Sequence, residues 1–226
     1  MLIRNSKLPK RLELISLLKA KRGLLPPSIP PEFIASAILR AMESGDGSST
    51  AVQTPIDTQL AGIRPGPTAA SQYHQLIFKT LSEVFDPALR NGKIEQGING
   101  GQKRIDIVYR NRATHGFFFD LNAQHRIICP YIFGECKNYS RDIKNPEFDQ
   151  LGGRFNDRRG RFGILVCRHI LDKNRALEAC KHILNAGNRI IVLEDCDIIA
   201  LVECKNTGGM DAVDEFMERK HRDILM

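Results

Sequence analysis

An α/β fold, with a central mixed sheet flanked by helices and a short helical extension in front, is what this sequence predicts. Three observations carry the expectation. Strand-length apolar runs recur at 104–110, 131–137, 162–167 and 189–193. Stretches with helical apolar spacing, punctuated by Pro and Gly, lie between and around them. A chain of 226 residues with 42% hydrophobic residues has enough apolar material for one ordinary core with appendages.

The chain opens with residues 9–22, an expected amphipathic helix with Pro9 in its first turn and Gly23 just past its end. Residues 25–31 hold four prolines and read as a stiff connector. A second helix over about 31–44 places Phe33, Ile34, Ala37, Ile38 and Ala41 on one stripe. Residues 1–44 carry eight Lys/Arg against three Glu. That basic helical hairpin is a solvated face, an auxiliary DNA contact or a docking element for a partner protein. Residues 45–68, rich in Gly, Ser, Thr and Pro and without a sustained apolar period, read as a flexible linker.

The main domain, 69–226, is expected to begin with a helix at about 69–86, where Tyr73, Leu76, Ile77, Leu81 and Val84 fall at helical spacing before Pro87. Strands near 93–98 and 104–110 follow, separated by Asn99-Gly100-Gly101, a hairpin-type turn. Residues 111–128 interrupt the meander, and Phe117-Phe118-Phe119 within them read either as core or as an aromatic wedge against bases.

The next strand, 131–137, carries the chemistry. Successive strand side chains alternate faces, so Tyr131, Phe133, Glu135 and Lys137 share one face. An isolated Glu-x-Lys pair is ordinarily a solvated ion pair of about 0–1 kcal/mol. Upstream, however, Asp106 sits alone at the centre of a second alternating strand, and two adjacent strands of this kind bring two carboxylates and a lysine together. Paired carboxylates repel unless a cation lies between them, and their oxygens suit magnesium or manganese. A divalent ion so held polarises water and neutralises phosphate oxygens, which is the chemistry of phosphodiester hydrolysis.

On these residues the chain resembles the PD-(D/E)xK nuclease superfamily, with its restriction-endonuclease-like fold, over roughly 69–205. Asp106 matches the first acidic position, and Glu135 and Lys137 match the Glu-x-Lys. The resemblance implies a metal-dependent DNA endonuclease of restriction, phage defence or DNA processing. It implies Mg2+ or Mn2+ held by Asp106, Glu135 and the backbone carbonyl of Cys136. Many relatives carry a glutamate after an aromatic residue early in the first helix. Here Tyr73 is followed by His74 and Gln75, and Glu83 is the acidic candidate that helix retains.

A helix over 145–155 follows, with Asn145 as cap, Pro146 at its first position and acids in its first turn. Phe148, Leu151 and Phe155 form its buried stripe, and Gln150 and Arg154, four apart, share its flank. Relatives resembling the Mrr-like branch often carry a glutamine on this helix near the metal, and Gln150 matches it as a fourth catalytic residue. Gly152 and Gly153 cost about 1 kcal/mol each inside a helix, so they mark either a close approach or a helix that ends near 152. Arg154, Arg158, Arg159, Arg161 and Arg168 cluster around the next strand, 162–167, and suit phosphate contact. With Lys103, Arg104 and Asn138 they form the expected DNA-binding set. A helix near 173–186, a strand at 189–193 and helices near 195–205 and 210–225 complete the layer.

Glu203-Cys204-Lys205-Asn206 repeats the tetrapeptide of 135–138. It follows an acidic helix start, and on a helix residues two apart diverge by roughly 200°. The first copy is therefore the expected site.

A formal net charge of +7 and a pI near 9.2 suit a polyanionic partner. The six cysteines, at 129, 136, 167, 180, 196 and 204, show no Cys-x-x-Cys pair and read as reduced core thiols in a cytoplasmic protein. No apolar run reaches the about 18 residues of a membrane span, so no membrane partner is expected. No nucleotide-binding loop of the G-x-x-x-x-G-K-[S/T] kind is present either. Beside the nuclease stand a scaffold that grips DNA without cutting, and a subunit acting only within a larger complex. DNA is the expected partner, with room for a homodimer and for a partner protein on the N-terminal helices.

Overall fold

A meander of three antiparallel strands, extended by two parallel ones, forms a five-stranded mixed sheet in the order β1-β2-β3-β4-β5. The computed structural model describes residues 54–98 and 103–226, and their side chains except those of 96–98, 103 and 104. The expected hairpin at 1–44 and the first part of the expected linker lie outside the described residues.

From residue 54 onward the linker expectation is corrected. Helix α1 (Ile56–Ala61) forms there, and Leu60 and Ile63 are buried. The compact unit thus begins at Thr54 and not at 69. A 3-10 turn (Pro67–Ala69) leads into α2 (Ala70–Val84), which buries Tyr73, Ile77, Leu81 and Val84. β1 (Leu89–Ile98) starts earlier than expected because a bulge between Arg90 and Lys93, with Asn91 at a φ of 52°, lets the ladder with β2 (Lys103–Asn111) continue past it.

α3 (Phe117–Ala123) fills the interruption between β2 and β3 (Tyr131–Lys137). Phe117 and Phe118 are core, and Phe118 lies edge-to-face with Phe85, Phe117 and Phe162, each such contact adding about 0.5–1.5 kcal/mol beyond area burial. Only Phe119 of the three is exposed. Of the two readings of this triplet, core is the one that Phe117 and Phe118 follow.

β3 pairs antiparallel with β2 and parallel with β4 (Phe162–Cys167), which is buried along its whole length, as a central parallel strand must be. α4 (Asn145–Gly152) lies between them in sequence. Its first residue is Asn145, and Lys144 is the cap, its N–H donating to the Glu147 carboxylate at 2.8 Å, so Asn145 is not the cap. The helix ends at Gly152 instead of reaching 155. α5 (Lys173–Asn185) is capped by Asp172, which accepts from the Arg175 N–H at 3.0 Å, and leads to β5 (Arg189–Glu194). The terminal segment α6 (Asp195–Leu225) is two helices, as expected, that meet at Gly209, whose φ of 66° is left-handed. α2 packs on β1, β3 and α6, while α4 packs on β3, β4 and α5. No helix among the described residues is long and apolar enough to cross a membrane.

Candidate functional site

Strand alternation divides β2 cleanly. Ile105, Ile107 and Tyr109 are buried, whereas Val108 is half-buried and Arg110 exposed on the other face, and Asp106, past the last regular pair, is half-buried. The register pairs Val108 with Phe133 and Arg110 with Tyr131. Continued two residues further, that antiparallel register sets Asp106 opposite Glu135. The regular pairing stops at Ile107 and Gly134, and beyond it Asp106 Oδ2 takes the N–H of Cys136 at 3.0 Å. A Cβ on Gly134 would lie 3.0 Å from Ile107 Cβ, so the close approach of the two strands just before this point uses the missing side chain.

Glu135 and Lys137 share a face as the period requires, and both are buried, at 1% and 9% exposure. Lys137 Nζ donates to Glu135 Oε1 at 2.7 Å and to Gln150 Oε1 at 2.8 Å. Arg154, just past α4, donates to the other oxygen of Glu135. What brings α4 this close is Gly163 on β4: a Cβ there would sit 3.0 Å from both Leu151 and Phe155. Asp106 is less buried, with 14% of its side chain exposed, and His74 Nδ1 of α2 stands 4.0 Å from its Oδ2. Burial, then the charges of Asp106 and Glu135, push the Cys136 thiol well above its ordinary pKa, so this sulfur is no nucleophile.

Oxygen donors of the right kind for a hard divalent cation meet here. Asp106 and Glu135 supply carboxylates. In a strand the N–H and C=O of one residue point the same way, so the Cys136 carbonyl faces β2 with the N–H that Asp106 receives. Each carboxylate oxygen has two lone pairs, so Glu135 retains acceptor capacity beside Lys137 and Arg154. Carboxylate and carbonyl oxygens are the donor type that Mg2+ or Mn2+ takes, and Asp106, Glu135 and the Cys136 carbonyl are the groups here that could hold such an ion.

The rest of the expected DNA-binding set disperses. Arg154 is 5% exposed and serves Glu135. Asn138, 2% exposed, uses its amide N–H groups on the carbonyls of Arg64 and Gly66, each at 2.9 Å, and fastens the segment before α2. Arg168 lies over Tyr73, pairs with Asp195 at 3.1 Å and donates to the Leu60 carbonyl. Arg161 pairs with Asp157 across one turn. Only Arg158 of the cluster is fully exposed, and the side chains of Lys103 and Arg104 are outside the described residues. Glu83 is exposed on α2, nine residues beyond His74, or about 13 Å along the helix axis at 1.5 Å per residue. It does not reach Asp106.

Glu203 and Lys205 lie on α6, as expected, and Lys205 donates to the Asp86 carbonyl, far from β3 in the chain. Two features escaped the sequence. His74 is the α2 residue beside Asp106, a position marked only by the preceding aromatic Tyr73. A groove of about 400 Å³ draws its lining from β1, β2 and β3, Ile105 and Tyr109 included, and carries Lys93, Arg110 and Arg159 as its basic residues.

Comparison with protein-family models, with curated proteins and with solved structures yields no match.

Proposed function

We propose that this protein is a metal-dependent deoxyribonuclease built on a restriction-endonuclease-like core, acting in restriction, phage defence or DNA processing. The observation that carries the reading is Lys137 bonded to both Glu135 and Gln150, with Asp106 of the neighbouring strand bonded to the backbone N–H of Cys136, the residue between Glu135 and Lys137. A sheet with three antiparallel strands followed by two parallel ones, a helix before it and α4 after the Glu-x-Lys strand agree with that core.

A bound magnesium or manganese ion would supply charge neutralisation at phosphate oxygens and a water of lowered pKa. The chain's own groups do the remainder. Asp106 and Glu135 would hold the cation. Lys137, fixed by two hydrogen bonds, would supply an ammonium whose charge favours the deprotonated form of a nearby water. Gln150 orients Lys137 through its side-chain oxygen. The groove beside the site, with Lys93, Arg110 and Arg159 in its lining, offers a track for a phosphate backbone that reaches Val108, about 7 Å along β2 from Asp106.

The test is cleavage of duplex DNA with magnesium or manganese by Asp106→Ala and Glu135→Ala. Both should lose cutting while DNA binding persists, and removal of a carboxylate that repels phosphate can tighten it. Cutting at the native rate in either variant overturns the reading. DNA binding without any cutting by the native chain favours the non-cutting scaffold, and cutting only after addition of a partner favours the assembly subunit.

A further inference from the structure

Away from the Glu-x-Lys strand in the chain, His125, two residues past α3, meets the second half of α6. Glu218 and His221 lie three apart on that helix and so share a face. His125 approaches them, with its Nε2 at 4.0 Å from Glu218 Oε1 and its ring 4.6 Å from the His221 ring. One ligand atom from each of His125, Glu218 and His221 lies within 4.8 Å of the others.

The second observation concerns His221 alone. It is 0% exposed, and neither Nδ1 nor Nε2 has a hydrogen-bond partner. Its contacts are the edge-to-face rings of Phe117 and His125, which satisfy no nitrogen. Buried polar groups are nearly always paired, so a fully buried imidazole with two idle nitrogens calls for a partner that protein groups do not provide. Arg189, whose charge acts on His221, is directed to the carbonyls of Asn188 at 2.9 Å and Leu184 at 3.4 Å. A cleft of about 500 Å³ opens onto His125, giving a route from solvent.

We propose that His125, Glu218 and His221 bind a transition-metal ion of the zinc type, which pins the segment after α3 to α6. Two imidazoles and one carboxylate form a zinc ligand set with a fourth position for water, and small rotations bring ligand atoms 4.8 Å apart to tetrahedral spacing. The imidazoles separate it chemically from the all-oxygen set at Asp106 and Glu135. The inference stands apart from the nuclease reading.

The experiment strips the full chain with EDTA and titrates it with cobalt(II), a coloured stand-in for zinc, in an Asp106→Ala background so that the strand site does not contribute. Expected is one equivalent bound with the visible d–d bands of a tetrahedral site, and a zinc-dependent rise in Tm. His125→Ala and Glu218→Gln change partly exposed residues and spare the fold, and each should weaken binding by about tenfold or more. Absence of the tetrahedral spectrum, or affinity unchanged in both variants, would overturn the site. So would a rise in Tm with zinc that both variants retain in full.

Discussion

Arg154 donates to one oxygen of Glu135 while Lys137 holds the other, so the carboxylate of the Glu-x-Lys strand is gripped by two cations inside the fold. Removing one partner of a buried ion pair leaves an uncompensated charge and typically costs about 3–5 kcal/mol. Arg154→Ala should therefore lower stability by that order in a denaturant melt. It should leave the slope of log K against log salt for DNA unchanged, because Arg154 is buried and touches no phosphate. A reduced slope with undiminished stability would return Arg154 to the DNA-contacting surface.

The two identical tetrapeptides make opposite predictions from geometry alone. Lys137 on β3 shares a face with Glu135, whereas Lys205 on α6 points to the Asp86 carbonyl. Lys137→Ala should cost orders of magnitude in single-turnover cleavage. Lys205→Ala should change the rate by less than about fivefold, within the ~1 kcal/mol of a surface charge. Should Lys205→Ala be the inactive variant, the site on β3 is wrong.

Which parts of this arrangement were legible follows from what is local. Strand periodicity is local, so the faces of 104–110 and 131–137, and hence Asp106, Glu135 and Lys137, could be read directly. Helical spacing put Gln150 and Arg154 on one flank but could not say which way that flank turns. Gly163, on another strand, settles it by letting Leu151 and Phe155 close on the sheet. Residues 54–68 defeated the reading for a similar reason. Leu60 and Ile63 form no period, and their burial comes from packing partners far along the chain, including Arg168 on the Leu60 carbonyl. Within the arginine cluster, Arg154 and Arg168 are taken up by Glu135 and Asp195, partners distant in the chain that local spacing does not reveal.

The groove beside the site gives the third prediction. Lys93 and Arg110 are exposed and line it. If they contact phosphates, each substitution by Ala should reduce the magnitude of the log K versus log salt slope by roughly 0.9 on duplex DNA, with cleavage of a saturated substrate little changed. Slopes equal to that of the native chain in both variants would remove the groove from the DNA path.

Acid sensitivity should enter through Asp142, in the loop between β3 and α4. Burial alone would raise its pKa, but the N–H groups of Asp172 and Leu171, each at 3.0 Å, and Arg175 at 2.9 Å hold it below the ordinary carboxylate value. This clamp joins the loop after the Glu-x-Lys strand to the start of α5. A carboxyl whose folded pKa is depressed adds stability in full above its unfolded value of about 3.9, and loses it as pH falls through the folded value. Asp142→Asn should thus cost roughly 1–3 kcal/mol at neutral pH, the worth of hydrogen bonds to a charged group. The difference from the native chain should shrink below pH of about 4 and vanish once the native carboxyl is protonated. Denaturant melts of both chains from neutral pH downward measure it, and a gap that stays constant through that range would show that the carboxylate charge contributes nothing to the clamp.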